Sequence, residues 1–310
     1  EILRCLVGSE MCIRDSNWDN VVLWEEGMDG YTPEKAGRVK FARFSTFGTK
    51  EGLPFEVQYL TAADELVFFS NTNWTTFDLS TGEYITKLGQ LRRLTISGYG
   101  LVDLDPDFKN LKNLESLDIS VNNFEKIPEV LTKENFPKLH ALYLNTCQRG
   151  VIYDLSNTTT THFGGLFEET DQTREFPRRL LEWDNLDTLT LSVNYLQGRI
   201  PDMKDYAQKY TQADISAADS LPQALVGTPK VLPNIKRFSI NLNRLTGELP
   251  EWLLHHPALD WMDPFTLVFT QEGKDQDGKL AGFTNEPVNL DEYYRFYEGK
   301  KYLDPNKKEE

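Results

Sequence analysis

The chain has 310 residues, 39% of them hydrophobic and 26% charged, and a formal net charge of −15. That length suits one large domain or two small ones, a repeat array can use it as a single unit, and no run of about 18 apolar residues is present to cross a membrane. A field of negative sign repels phosphate backbones, which argues against nucleic acid as a partner.

Residues 1–16, EILRCLVGSEMCIRDS, hold a short apolar stretch broken by Arg4, unlike a signal peptide. The string reads as a translated sequencing-adapter remnant, so it is expected to be a non-native leader outside the fold. A native N-terminus, with any signal or lipid anchor, would then be missing. Cys5 and Cys12 fall in this leader and leave Cys147 alone. A single cysteine builds neither an internal disulfide nor a zinc site. Residues 17–38 follow, where Trp18, Val21, Val22 and Trp24 suit an N-terminal cap.

From residue 39 onward one pattern recurs. Its clearest copy is Leu114-x-x-Leu117-x-Ile119-x-x-Asn122-x-Phe124, closed by Ile127-Pro128. The frame begins again at Val39, Ala63, Leu91, Leu139, Leu186 and Ile235, the first two copies being degenerate. The copies at Leu186 and Ile235 end in LQGRIP and LTGELP. Alternation at the fourth and sixth positions is the two-residue period of a strand, so those side chains point to one interior. One repeat cannot bury that face alone, and stacked coils share a core and a parallel sheet. The polar residue after the strand, at Asn71, Asn122, Cys147, Asn194 and Asn243, turns inward to satisfy backbone groups that no ladder reaches. Phe47 and Tyr99 break that series in the early coils.

Two spacings are twice the usual length and leave insertions at 148–185 and 202–234. The first is too polar for core. The second has a poor apolar match at Tyr210, Ala213, Ile215 and Ala218, so an extended loop is expected. Pro264 takes a required apolar position, which places the end of the array at residue 265. PEWLLHH reads as a short helix whose His255 and His256 meet the C-terminal dipole. A C-terminal cap follows at 266–298, with a hairpin turning at Asp277-Gly278. Residues 299–310 have no apolar face and read as a disordered tail.

These motifs resemble leucine-rich repeats, and the LxGxIP-like endings resemble the plant-type variant. With NWDNVVLWEEG before the first repeat, the chain is similar to secreted or surface leucine-rich-repeat proteins of Bacteroidetes. The resemblance implies an α/β solenoid, a horseshoe with a parallel sheet on its concave face. The convex side would be mostly irregular or 3-10, and both ends capped. It also implies an extracellular or cell-surface location.

The exposed strand positions give the candidate ligand-binding residues: Arg43, Arg93, Thr95, Asp118, Tyr143, Thr190, Arg237 and Ser239. Tyr143 beside Asp118, with Arg93 a coil further on, sets an aromatic among charges, the residue types in which binding energy concentrates. No HExxH, GxSxG or P-loop motif is present. Asp275-x-Asp277-Gly278 resembles a calcium loop, but Lys279 and Leu280 stand where a ligand and a glycine belong. The expected function is non-enzymatic recognition of a protein or glycan, with no cofactor and no metal. The alternatives are a structural spacer displaying a lost N-terminal domain, and a hydrolase with its site in the insertions.

Overall fold

The computed structural model describes residues 20–45, 55–69, 82–99, 101, 103–122, 124, 126–147, 176–217, 221, 223–254, 256–259, 268–274 and 277–285. The chain divides into two compact units, Glu1–Thr170 and Asp171–Glu310. Asn71, Phe47, the 1–16 leader, most of the first insertion and the 299–310 tail lie outside the described residues.

In the first unit, β1 (Val21–Leu23) pairs antiparallel with β2 (Val39–Ser45) and closes its edge. Parallel strands then follow in chain order: β3 (Glu65–Phe69), β4 (Arg93–Ser97), β5 (Ser116–Asp118) and β6 (Ala141–Tyr143). Their register is uninterrupted, Ala42 to Leu66 to Leu94 to Leu117 to Leu142, and all five side chains are buried. That column follows from the pattern, since the fourth position of each repeat must share one interior. Trp24 shields the first coil. It is buried, its indole Nε1 donates to the Ala62 carbonyl at 2.8 Å, and the Lys35 and Lys40 ammonium groups lie 4.4 and 4.9 Å from its ring centroid. The return segments include 3-10 turns at Phe55–Tyr59 and Pro106–Asn110. The second is started by Asp105, whose carboxylate accepts from the Asp107 amide.

In the second unit, β7 (Thr188–Thr190) pairs parallel with β9 (Arg237–Ser239), and Leu189 and Phe238 are buried partners. The LQGRIP and LTGELP endings form a small second parallel sheet: β8 (Gln197–Gly198), β10 (Arg244–Gly247) and β11 (Gly282–Phe283), with β10 in the middle. Gly247 has φ +90°, a left-handed conformation that strains any residue carrying a Cβ, and the Arg199 side chain lies 2.9 Å from where that Cβ would sit.

The structure differs from three of these expectations. The amide contact of the repeat recurs beyond residue 265, where the pattern placed the end of the array. Gln271 Nε2 donates to the carbonyls of Val268, three residues earlier, and of Ile240, on the preceding coil. Asn243 does the same with Ile240 and Leu191. Glutamine, one methylene longer, fills the asparagine place of a further coil, which the Asn-based pattern hid. The turn at Asp277-Gly278 is present, with Lys274 bridging Leu280, but β11 then joins β10 in parallel rather than completing a plain hairpin.

The segment 202–234 is also more than an extended loop. Backbone bonds tie Tyr210 to Thr228 and Gly227, and Lys230 to Gln208. A short helix α1 (Gln212–Ala217) caps the excursion. Met203, Tyr206, Tyr210 and Leu225 are buried, which anchors it.

Candidate functional site

After five of the strands the inward residue of the repeat frame is positioned by a left-handed backbone. Gly98, Val121, Thr146, Val193 and Leu242 all have φ between 55° and 79°, the left-handed region. Each directly precedes the polar or aromatic residue of the repeat frame. That conformation costs an ordinary L-residue about 1–2 kcal/mol, more noticeably for β-branched valine. The reward is the buried amide that follows. Asn122 Nδ2 donates to Ile96 and Ile119 carbonyls at 2.8 Å, and its Oδ1 accepts from the Tyr99 and Leu101 amides at 3.2 Å. Asn243 repeats this arrangement, accepting from Asn194 and Leu196. Cys147 substitutes with its thiol, donating to Ile119 at 3.3 Å. Burial pushes that thiol's pKa well up, so it stays a neutral donor.

With coils so fixed, the outward strand positions fall into rows. In the first unit one row runs Arg43, Val67, Thr95, Asp118, Tyr143, and a second runs Phe41, Glu65, Arg93, Ser116, Ala141. Arg43 is exposed, while Val67, Thr95, Asp118 and Tyr143 are half-buried, so each presents part of its surface. The Arg43 guanidinium lies 5.3 Å from the Phe69 ring centroid. Asp118 accepts from the Ser120 amide through Oδ1 at 2.9 Å.

Arg93 behaves differently. Its Nε bonds Glu65 at 2.6 Å and its Nη2 bonds Asp64 at 3.0 Å, so its guanidinium is already committed to two carboxylates. Beside it, Arg92 holds Glu115 through two bonds of 2.9 and 2.8 Å. Lys40, Asp64, Arg92 and Glu115 thus alternate in sign from coil to coil, each strand entry bonded to the last through its backbone.

In the second unit Arg237 is exposed and Thr188 half-buried, but Thr190 and Ser239 are only 3% and 5% accessible. They are not ligand-facing, contrary to the alternation rule. Ser239 Oγ lies 3.1 Å from Ser192 Oγ and 3.3 Å from Asn241 Oδ1, so this end of the strand pair is a buried hydroxyl cluster. Nothing in the repeat spacing marks it.

The second unit also carries a cleft of about 930 Å³, walled by Pro201, Pro250, Trp252, Tyr210 and Val231, with Arg199 and Glu248 among its polar residues. His256 borders it but is fully buried and neutral. Nε2 lies 3.0 Å from both the Val231 and Leu232 carbonyls, while Nδ1 accepts from the Ala258 amide. Burial lowers its pKa to about 4. It is therefore a structural pin rather than the helix-end cation expected, and its nitrogens are not available as a general base. Among the described residues no group of three or more His, Cys, Asp or Glu side chains could hold a metal ion. None of the described helices is long and apolar enough to cross a membrane.

A family model described as Leucine Rich Repeat matches residues 113–133, the coil that holds the Asn122 amide network. The fold is a leucine-rich-repeat solenoid. Solved structures resemble it at low identity. The Arabidopsis receptor kinase HAESA, solved with the peptide hormone IDA and the co-receptor SERK1, is 19% identical at a TM-score of 0.42. That match covers 70% of this chain and 32% of the receptor, so the chain spans about a third of that relative's length. A plant ice-binding protein is 18% identical, with 81% and 80% of the two chains covered and a TM-score of 0.39. The Leptospira interrogans LRR protein LIC12759 is 15% identical, covering 71% of this chain and 53% of that one at 0.37. No curated protein matches the sequence.

Proposed function

We propose that the chain is a recognition module, binding a protein or glycan through the outward strand face of its first unit, on the outside of a bacterial cell. The observation that carries this reading is the row Arg43, Val67, Thr95, Asp118, Tyr143. Five side chains sit in strict register on a rigid sheet, partly exposed, with an arginine and an aromatic among them. Groups held on strands keep their geometry without an ordering cost at binding, which favours recognition. The cell-surface setting is what the resemblance of the repeat motifs to secreted or surface leucine-rich-repeat proteins implies.

A solenoid of this class acts as a binding scaffold, and the side chains on this row offer no nucleophile paired with a base. The test is a combined protein and glycan array probed with the wild-type chain and with Thr95→Lys, which places bulk and charge in the middle of the row. Ligands captured by the wild type and lost in the variant support the reading. Capture that is indifferent to this substitution contradicts it.

A further inference from the structure

The outward row of the first unit carries two side chains of opposite charge that have no ion-pair partner among the described residues. Arg92 and Arg93 are neutralised by Glu115, Asp64 and Glu65. Arg43, by contrast, has no carboxylate within ion-pair distance among the described residues, and stacks on Phe69. Asp118 has no cation within that distance either, its described side-chain bond being the one from the Ser120 amide to Oδ1. Between them in the row lie Val67 and Thr95, which are neutral, and Tyr143 stands one strand beyond Asp118.

The spacing is fixed by the sheet. Three strand-to-strand steps of about 4.8 Å separate Arg43 from Asp118, roughly 14 Å in all. An extended chain advances about 3.3 Å per residue, so this distance matches about four residues. Side chains four apart on an extended segment point to the same side, and the residue midway between them does too. A segment lying across the strands could therefore set a carboxylate on Arg43, a small apolar side chain over Val67 and Thr95, and a cation on Asp118. Tyr143 would flank that cation, where a ring face adds attraction.

We infer that this row recognises an extended peptide segment carrying an acidic and a basic side chain four residues apart, with a small apolar residue midway. The inference rests on the recognition reading given above and specifies its ligand chemistry. Asp118 and Arg43 provide opposite end charges, so they also set the direction of the bound segment. A peptide of reversed charge order must lie the other way round.

The experiment uses fluorescein-labelled nine-residue peptides with the cores Asp-Ala-Val-Ala-Lys and Lys-Ala-Val-Ala-Asp, titrated against the whole chain by anisotropy. Controls place the base three or five residues from the acid, or replace both charges by Asn and Gln. Binding is expected for a core of four-residue spacing, about fivefold tighter than for the other spacings, and weakening with added salt. Asp118→Asn keeps the acceptor for the Ser120 amide and is expected to weaken binding about fivefold. Arg43→Gln should do the same. The double variant Arg43→Glu with Asp118→Arg should bind again, with the peptide's orientation inverted as read by a quencher at one end. The inference is overturned if no peptide binds, if spacing is immaterial, or if the double variant leaves orientation unchanged. Those results would leave the recognition reading intact provided an array ligand is still lost in Thr95→Lys, and would take it down as well if none is.

Discussion

Arg92 grips Glu115 on the next coil with two parallel hydrogen bonds, while its other guanidinium nitrogen lies 3.7 Å from Asp64 on the coil before. The same backbone position thus carries acid, base and acid on three successive coils. A coil slipped by one repeat would set like charges against each other, so the ladder favours one stacking order.

Arg92→Glu is expected to destabilise the chain by about 1 kcal/mol, a modest figure because the pair is partly exposed and screened by solvent. Arg92→Glu with Glu115→Arg should recover only part of that, because Asp64 would then face a carboxylate. Urea melts of the single and double variants check this. The Arg92 hydrogen bonds hold the Glu115 carboxyl below its ordinary range. A depressed carboxyl pKa gives stability that is present above the unfolded value and lost as pH falls through the folded one. The wild type should therefore lose more stability than Glu115→Gln on acidification below about pH 4.5.

Val121 sits at φ 60° directly before Asn122. Replacing a non-glycine residue by glycine normally costs about 0.5–1 kcal/mol of backbone entropy. Here the order should reverse: Val121→Gly should be more stable than Val121→Ala by about 1 kcal/mol, because alanine retains the left-handed strain. Thermal melts of the two variants side by side decide it, and alanine the more stable would mean that the turn is not left-handed in solution.

Asn122→Ala should cost about 3 kcal/mol or more, since it leaves the Ile96 and Ile119 carbonyls and the Tyr99 and Leu101 amides without their partner. Cys147→Ala, losing a single weak thiol donor, should cost less. Chemical denaturation of both variants measures the difference.

His256 is buried neutral, with its pKa lowered to about 4 from 6.5. A histidine whose folded pKa is depressed contributes stability above its unfolded value, and that contribution drains away as pH falls from about 6.5 toward 4. The loss across this window is of the order of 3 kcal/mol. Unfolding midpoints followed from pH 7 to pH 4 should fall steeply in the wild type and less in His256→Gln.

Much of this architecture is legible in the residues themselves. The Leu-x-x-Leu-x-Ile spacing fixes which side chains share the interior, so the column through Leu117 and Leu142 and the outward row through Asp118 and Tyr143 follow from counting. The same register, drawn one row over, sets Glu65 against Arg93, and their opposite charges are the signal that this arginine is spent on structure. Other features have no such signature. Valine is a poor resident of left-handed backbone, so Val121 and Val193 give no hint of their turns. Gln271 hides a coil because the pattern names asparagine, although the amide chemistry is the same. Thr190 and Ser239 alternate outward by the two-residue rule but are buried, since burial of an exposed sheet face depends on what packs over it and not on strand period.

Leu142 and Tyr143 are neighbours in sequence and opposites in the fold, one fully buried and one half-exposed. The most direct test is to measure thermal stability and array capture for Leu142→Ala and Tyr143→Ala together. Leu142→Ala should lose about 2–5 kcal/mol through the cavity it leaves. Tyr143→Ala should keep nearly all of its stability and lose ligand capture. A Tyr143→Ala chain that captures ligand as the wild type does would contradict a binding face on this side of the sheet.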